Sequence, residues 1–309
     1  MTSANPLVTV YVANHNYGRY LEQAIKSVLD QTLQDFELIV IDDGSTDNSR
    51  AIIEKYSDHP KILTILQQNQ GLTVTNNIAM RAATGRYIMR LDADDYLDEH
   101  ALQVLSGILQ RNKDVGLVFP DYFLIDEGGE VRDVVRRHDF GEATLLDQPA
   151  HGACTMIRRS CLIELGGYDE TISMQDGYDL WIRFIEHYGI RNVNLPLFYY
   201  RQHEGSLSRA EEKLLDARAK IVRNRVSSQG ADVTASALIP VRGKATDPHS
   251  TALRPLGGKA LIEWTIDAAS KANRVSEVIV SSPDDEVLSH VRATYGDDVR
   301  TVHRDSVCR

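Results

Sequence analysis

Three aspartates that follow one apolar segment have a spacing that suits a divalent metal ion. Asp92, Asp94 and Asp95 come directly after the mostly apolar residues 86–91. A buried strand that ends in carboxylates at positions i and i+2 delivers oxygen ligands to the rim of a sheet, where Mg²⁺ or Mn²⁺ can be shared with a diphosphate. The alternative is a turn whose aspartates cap a helix that begins near Asp98. These residues alone leave both interpretations open.

The elements around this cluster would bring further polar side chains to the same place. Strands are predicted at residues 7–12, 37–41, 62–66 and 86–91, and helices at residues 21–29, 48–56 and 72–83. A strand–helix alternation at this spacing predicts a parallel, doubly wound α/β sheet, which binds ligands at the carboxyl ends of its strands. The polar residues 14–16, 42–43 and 92–95 all lie at such ends. This coincidence favours a binding site over solvated loops.

The remaining chain predicts a less regular half and then a separate segment. Strands are expected at residues 115–119, 122–125, 154–157 and 194–200, a hairpin turn at 127–130, and helices at 102–109, 178–187 and 210–224. Small polar residues at 227–235 predict a linker. A new α/β segment follows, with strands at 238–240, 278–280 and 299–302 and helices at 260–272 and 286–293. We therefore expect domains at residues 1–226 and 236–309.

Composition limits the class of function. The chain has 309 residues and a formal net charge of −10, without a block of basic residues, which argues against general nucleic-acid binding. Three cysteines without metal-ligand spacing fit a reducing cytoplasm. The sequence shows neither a signal peptide nor an 18-residue apolar run, so we expect a cytoplasmic protein. The composition is also compatible with peripheral association at the inner face of a membrane and with an oligomeric protein.

Five short motifs, in order, resemble those of the family 2 glycosyltransferases, which have the GT-A fold, a Rossmann-like nucleotide-diphospho-sugar transferase architecture. They are VTVYVANHN at 8–16, IDDGSTD at 41–47, LDADD at 91–95, QDGYDLW at 175–181 and YRQH at 200–203. The resemblance covers about residues 7–205. It implies a nucleotide-sugar donor, with uridine as the expected base, a divalent metal (Mn²⁺ or Mg²⁺) and inversion at the anomeric carbon.

The resemblance also implies roles for individual residues. Those expected to bind the nucleotide are Ala13, Asn14, His15, Asp42, Asp43 and Asp92. Asp43 would accept hydrogen bonds from the base, whereas Asp47 is expected to cap the next helix. Asp94 would bind the metal directly, and Asp92 would contact the ribose or a metal-bound water. His203 is a further metal or phosphate contact, or else a surface histidine. Asp95 would support the metal ligands or cap a helix.

Inversion in one step needs a base on the face opposite the leaving group. We expect Asp176 to be this base, because it precedes a helix and the Gly177 break could aim it into the cleft. Asp179 is the rival, since acids near a helix N-terminus often only offset the helix dipole. In this motif Gln175 stands where the family usually has Glu, and Gly177 is an extra residue. The alignment with the family motif therefore does not decide whether Asp176 or Asp179 is the base. Trp181 is a core anchor or a wall of the acceptor site.

Residues 236–309 resemble the start of the acylneuraminate-type cytidylyltransferases, which load CMP onto nonulosonic acid sugars. The resemblance rests on IPVRG at 239–243 and LRPLGGKALI at 253–262. Lys244 is the one cation in the intervening loop, at residues 244–252, where that family has several lysines. About two-thirds of such a domain is missing. We therefore expect a truncated or vestigial module that serves as an interaction surface.

The leading hypothesis is a metal-dependent inverting glycosyltransferase that moves a sugar from a UDP-sugar donor to a glycan or lipid-linked acceptor in surface polysaccharide synthesis. One alternative is a cytidylyltransferase for nonulosonic acids. The other is a sugar-nucleotide-binding scaffold that has lost its catalytic base through the change around Gln175 and Gly177.

Overall fold

The protein divides into two compact units, Met1–Ile221 and Val222–Arg309, which we call the N-terminal and C-terminal units. The computed structural model describes residues 5–136, 152–172, 176–203, 221, 235–244, 247–273 and 275–304. The predicted helix at 210–224 and the predicted linker at 227–235 lie outside the described residues, apart from Ile221 and Ala235.

The first half of the N-terminal unit is a parallel sheet, as predicted. Its strands are β1 (Val8–Asn14), β2 (Phe36–Asp43), β3 (Ile62–Gln67) and β4 (Tyr87–Asp92), in the order β3-β2-β1-β4. The connecting helices are α1 (Gly18–Leu29), α2 (Ser49–Glu54) and α3 (Leu72–Ala82). All three strand pairs are parallel. The carboxyl ends of β1, β2 and β4 therefore lie at one edge.

The second half makes the sheet mixed, so the expectation of a parallel sheet holds only for β1 to β4. Its elements are β5 (Tyr96–Leu97), α4 (Ala101–Arg111), β6 (Val115–Ile125), β7 (Val131–Val135), β8 (Met156–Arg158), α5 (Arg159–Glu164), α6 (Asp176–Ile185) and β9 (Gly189–Arg201). The order continues as β4-β8-β6-β9-β5, and β7 forms the predicted hairpin with β6. β8 is antiparallel to both of its neighbours, β6 and β9 are parallel, and β5 is antiparallel to β9.

One strand replaces the two that the sequence predicts at 115–119 and 122–125. Pro120 and Asp121 indicate a break, but β6 runs through them. Proline has no N–H for a ladder and is tolerated in a sheet where the register is irregular. The pairing of β6 with β9 indeed shifts register between Pro120 and Asp121.

The sheet is buried on both sides by two apolar clusters. Along β1, Val10 and Val12 belong to the cluster that packs with α1 and α4, whereas Tyr11 belongs to the cluster with α5 and α6. This alternation follows from the two-residue period of a strand. Trp181 is 2% exposed in the second cluster and meets the Phe119 ring edge-on at 5.8 Å. It is thus a core anchor, as one of the two interpretations predicts.

The C-terminal unit is the small α/β segment expected from the sequence. Its elements are β10 (Ala235–Pro240), β11 (Pro255–Leu256), β12 (Lys259–Ala260), α7 (Leu261–Ser270), β13 (Val275–Ser282), α8 (Asp285–Tyr295) and β14 (Val299–His303). β10, β13 and β14 form a parallel sheet in that order, and β11 pairs with β12. Across the described parts of both units, every helix is too short or too polar to cross a membrane.

Candidate active site

The residues expected to bind the nucleotide and metal meet where β1, β2 and β4 end. In the strand register, Asn14 lies opposite Asp42, and Ala13 lies opposite Asp92. Parallel pairing therefore brings three distant polar segments of the sequence to one edge of the sheet. This arrangement is the one predicted from the strand-end positions alone.

Asp42 is fully buried and organises the loops around it. Its carboxylate accepts hydrogen bonds from Asn14 Nδ2 at 3.1 Å, Arg50 Nε at 3.2 Å and Ser45 N at 3.3 Å. The Asn14 amide also donates to Ser45 Oγ at 3.1 Å. Asn14 Oδ1, which is buried, accepts no hydrogen bond within the described residues. A buried acceptor of this kind is available to a ligand.

Asp43 holds the loop between β3 and α3. Its Oδ1 accepts from Gln67 Nε2 and Gln70 N, both at 2.8 Å, and its Oδ2 accepts from Gly71 N at 2.9 Å. A carboxylate oxygen can accept two hydrogen bonds, so Oδ2 has capacity beyond the Gly71 contact. Beside it, His15 Nδ1 lies 2.7 Å from the Asp43 carbonyl oxygen, and the imidazole is exposed.

Asp47 serves the starts of two helices, in line with its predicted capping role. Its Oδ1 accepts from Ser49 N at 2.9 Å, at the start of α2, and its Oδ2 accepts from Gly18 N at 2.8 Å, at the start of α1. The approach is close at Gly18, because a Cβ there would lie 2.2 Å from Asn48 Oδ1. Burial raises the pKa of Asp47, but the hydrogen bonds from Ser49 and Gly18 outweigh it and the net pKa is lowered.

Asp94 and His203 are in direct contact. His203 Nε2 lies 3.0 Å from Asp94 Oδ2, and the two side chains are 3% and 14% exposed. The rings of Tyr17 and Tyr20, on either side of the start of α1, pack against the His203 ring at 5.5 and 5.7 Å. Burial, followed by the charge of Asp92, raises the pKa of Asp94, and the His203 hydrogen bond partly offsets this. His203 is therefore not a surface histidine.

Asp92 is paired with an arginine that the sequence analysis did not single out. Arg90 Nε lies 2.8 Å from Asp92 Oδ1, and Arg90 Nη2 lies 3.3 Å from Asp92 Oδ2. Arg90 is 9% exposed and Asp92 26%. The signal was present in the sequence, because residues i and i+2 of a strand share one face.

Asp95 supports β9 and does not cap a helix. It is 1% exposed, and its Oδ1 accepts from Arg201 N at 2.9 Å. Burial and the charges of Asp94 and Asp92 raise its pKa well above the ordinary value. Helix α4 begins only at Ala101, and Asp98 receives the His100 N–H just before it. The alternative in which the acidic cluster caps this helix is therefore wrong.

The candidate bases lie on α6, which begins at Asp176. The Asp176 side chain is outside the described residues. Asp179 Oδ2 is held by Arg183 Nε at 2.9 Å and Nη2 at 2.7 Å. Arg183 also donates to the carbonyl oxygens of Leu165 and Gly167, so the Asp179–Arg183 pair fixes the glycine turn before α6.

A cleft lies on the α6 side of the sheet, beside the Arg90–Asp92 pair. Gly177 and Trp181 of α6 line it. Leu180 of α6 and Leu162 of α5 also line it, and the rest of the wall comes from the strands and loops, at Tyr11, Ile88, Arg90, Leu117, Gly152, Thr155, Ile157 and Tyr168. Its enclosed volume is about 30 Å³, which has room for water but not for a sugar.

The donor set fits a hard divalent metal that is shared with a ligand. Carboxylate and imidazole groups bind Mn²⁺ and Mg²⁺, and such ions usually keep several positions for water and phosphate oxygens. Within the described residues, no group of three or more His, Cys, Asp or Glu side chains is arranged to hold a metal ion. Asp94 and His203 would therefore supply part of a coordination sphere, with the other positions left to water and ligand oxygens.

Comparison with known proteins identifies the class. Residues 9–166, about half of the chain, match the family described as glycosyl transferase family 2, and the chain belongs to this family. It is 29% identical to the chondroitin synthase of Escherichia coli over 196 residues, which are 61% of this chain and 28% of that protein. It is 32% identical to the putative glycosyltransferase EpsE of Bacillus subtilis over 213 residues, 66% of this chain and 75% of that protein.

Solved structures show the fold. S. aureus TarS 1–349 in complex with UDP-GlcNAc superposes with a TM-score of 0.59 at 19% identity, over 70% of this chain and 65% of that chain. Mannosyltransferase PcManGT from Pyrobaculum calidifontis, in complex with GDP-Man and Mn²⁺, gives a TM-score of 0.54 at 18% identity, over 72% and 66%. The predicted GT-A fold and glycosyltransferase class are confirmed.

Proposed function

We propose that the predicted domain at residues 1–226 is a metal-dependent inverting glycosyltransferase. It moves a sugar from a UDP-sugar to a glycan or lipid-linked acceptor in surface polysaccharide synthesis. The observation that carries the proposal is the buried contact between Asp94 and His203, at the sheet edge where Asn14, Asp42 and Asp43 also lie. It supports a metal beside the nucleotide pocket.

Asp94 and His203 would hold Mn²⁺ or Mg²⁺, with Asp92 beside them. The metal, when bound, neutralises charge on the departing diphosphate. Tyr17 and Tyr20 pack on the His203 ring and limit its access to water and its freedom to rotate. The raised pKa of Asp94 reflects a buried carboxylate, which gains from a cation in contact with it.

The nucleotide pocket would use Ala13, Asn14, His15, Asp42 and Asp43. Asn14 Oδ1 is the buried acceptor available to a ligand, and Asp43 Oδ2 has remaining capacity for a base N–H. Asp42 positions Asn14 and contributes through it. Uridine is the base proposed from the family resemblance, and the two fold neighbours described above bind UDP-GlcNAc and GDP-Man.

Asp176 is the proposed base, because the Asp179 carboxylate is already held by Arg183. The acceptor hydroxyl gives its proton to Asp176 while its oxygen bonds to the anomeric carbon. The bond from that carbon to the diphosphate oxygen breaks on the opposite face. The acceptor would approach on the α6 side of the sheet, where Asp176 begins the helix. The proposed location is the cytoplasm, which is compatible with association at the inner face of a membrane.

The test is a thermal-shift screen of nucleotide sugars on the full chain, with and without Mn²⁺, followed by assay of nucleotide release. We expect a UDP-sugar to raise the midpoint only with Mn²⁺, because ligand binding stabilises the folded state by mass action. Asp94→Asn should abolish both the shift and the release. Glu99→Gln, at an exposed carboxylate near the cluster, is the matched control. Turnover that survives both Asp94→Asn and chelation would refute metal dependence.

For residues 236–309 we propose descent from a cytidylyltransferase-like module without its chemistry. The parallel order β10-β13-β14 and the long loop before α7 support the descent. Lys259, in the motif that would face a triphosphate, is paired with Asp267 and lies over the Trp264 ring at 4.0 Å. Its charge is therefore already matched. Formation of a CMP-sugar from CTP by the full chain would overturn this proposal.

A further inference from the structure

Arg201, the last residue of β9, has a buried guanidinium that joins three separate segments of the N-terminal unit. It is 2% exposed. Its Nε donates to the Asp94 carbonyl oxygen at 2.9 Å, its Nη2 to Gln23 Oε1 at 2.8 Å, and its Nη1 to the carbonyl oxygens of Asp126 and Glu127 at 3.2 and 3.0 Å. Each acceptor is a carbonyl or amide oxygen and not a carboxylate.

The end of β9 holds the acidic turn from two sides. Arg201 reaches the main chain of Asp94, and its own N–H donates to Asp95 Oδ1 at 2.9 Å. Two residues later, His203 contacts the Asp94 carboxylate. Asp94 is therefore fixed both at its peptide group and at its side chain by one short segment.

We propose that Arg201 is a positioning residue, which holds the Asp94 peptide so that the carboxylate can bind a divalent metal. The inference rests on the metal role proposed above for Asp94. Metal ligands must be held in a narrow geometry, and the groups that orient them commonly affect metal affinity by about 10- to 100-fold. The planar fork of arginine reaches several acceptors at fixed angles, which a lysine ammonium does not reproduce.

The positive charge of Arg201 would lower metal affinity, whereas its positioning role would raise it. A cation close to a metal site repels the metal, so removal of the charge alone would tighten metal binding. The two effects can be separated. Arg201→Lys keeps the charge and loses the fork, whereas Arg201→Met loses both.

Arg158 offers a matched control within the same unit. Its guanidinium also donates to three carbonyl oxygens, those of Val115 at 2.8 Å, Leu109 at 2.5 Å and Asn112 at 2.9 Å. It lies opposite Tyr87, the first residue of β4, while Asp92 is the last. At about 3.3 Å per strand residue, the two ends are roughly 16 Å apart. Arg158→Met therefore disrupts the same kind of contact away from the acidic turn.

The experiment titrates the full-length wild type, Arg201→Met, Arg201→Lys and Arg158→Met with Mn²⁺ alone, by calorimetry or by EPR of free Mn²⁺, and records the thermal midpoint of each. We expect both Arg201 variants to bind Mn²⁺ at least about tenfold more weakly. Arg158→Met should lower the midpoint and leave Mn²⁺ affinity within about twofold. If Arg201→Met does not fold, the Mn²⁺ affinity of Arg201→Lys decides whether the inference holds.

Unchanged or tighter Mn²⁺ binding in a folded Arg201 variant would overturn the inference and leave the proposed function standing. An equal loss in Arg158→Met would also overturn it, because the effect would then be a general loss of rigidity. A wild type that binds no Mn²⁺ would overturn both the inference and the metal role of Asp94.

Discussion

The guanidinium of Arg90 spans the carboxylate of Asp92, with Nε 2.8 Å from Oδ1 and Nη2 3.3 Å from Oδ2. Both residues lie on the face of β4 that is turned toward the α6 cleft, and Arg90 itself lines that cleft. One arginine therefore holds the carboxylate beside the proposed metal site while it also lines the cleft on the α6 side of the sheet.

Arg90→Gln should lower turnover of the sugar donor by about 10- to 100-fold, because Asp92 loses the group that orients it. Arg111→Gln, at an exposed arginine in the last turn of α4, should leave turnover unchanged. Initial rates of nucleotide release with saturating Mn²⁺ give the comparison. Equal rates for Arg90→Gln and the wild type would show that Asp92 needs no such partner.

Substitution of Asp176 and substitution of Asp179, both on α6, should cause different kinds of defect. Asp176→Asn should reduce turnover by about 10²- to 10⁴-fold with nucleotide binding retained, as loss of a general base does. Asp179→Asn should instead lower the free energy of unfolding by about 1–3 kcal/mol, because Arg183 loses a half-buried partner. Turnover assays and denaturant unfolding measure the two effects. If Asp179→Asn stops turnover in a stable protein while Asp176→Asn does not, the base is Asp179.

Asp47 should make stability depend on acid pH. Its pKa is lower in the folded protein than in the unfolded chain, so it stabilises the fold above the unfolded value of about 3.9, and this contribution disappears as the pH falls through the folded-state pKa. The difference in unfolding free energy between the wild type and Asp47→Ala should be constant between pH 7 and about 5 and should shrink below about pH 4. Urea unfolding at several pH values measures it. Asp58→Ala, at an exposed carboxylate, should give a small difference throughout.

Two glycines in helices should respond to alanine with opposite signs. At Gly18 a Cβ would lie 2.9 Å from the main-chain nitrogen of Ser49, which cannot move aside as the Asn48 side chain can, so Gly18→Ala should destabilise the fold by about 1–3 kcal/mol. At Gly107, inside α4, a Cβ would meet nothing within 4 Å, so Gly107→Ala should stabilise it by about 0.5–1 kcal/mol. The unfolding midpoints of the two variants, each compared with that of the wild type, measure these changes in stability. Destabilisation by both would show that the space around Gly107 is needed.

The sequence predicts the edge formed by the ends of β1, β2 and β4 well, because its signals are local. Each of β1, β2 and β4 is an apolar run with a polar end, and parallel pairing brings those ends together. The pairing of Asp94 with His203 depended on the family resemblance, since 109 residues separate them. Neither composition nor spacing shows that β8 enters the sheet antiparallel or that β6 continues past Pro120, because strand pairing is decided by contacts that are remote in the chain. The contact of Arg90 could have been found from the strand period. Arg201 lies in the YRQH motif, but its partners could not be found from the sequence, because three of its four acceptors are main-chain oxygens and the fourth is the distant Gln23 amide.

The long separation between the acidic turn and the end of β9 has a consequence for synthesis on the ribosome. Asp94 is translated 107 residues before Arg201 and 109 before His203. At roughly 5–20 residues per second, that interval lasts about 5–20 s. During it the acidic turn lacks the hydrogen bonds that Arg201 and His203 supply in the complete fold. Emergence of the last few residues of β9 and of His203 is therefore the event that completes the proposed metal site, and a partly translated chain should hold a metal–nucleotide complex only weakly.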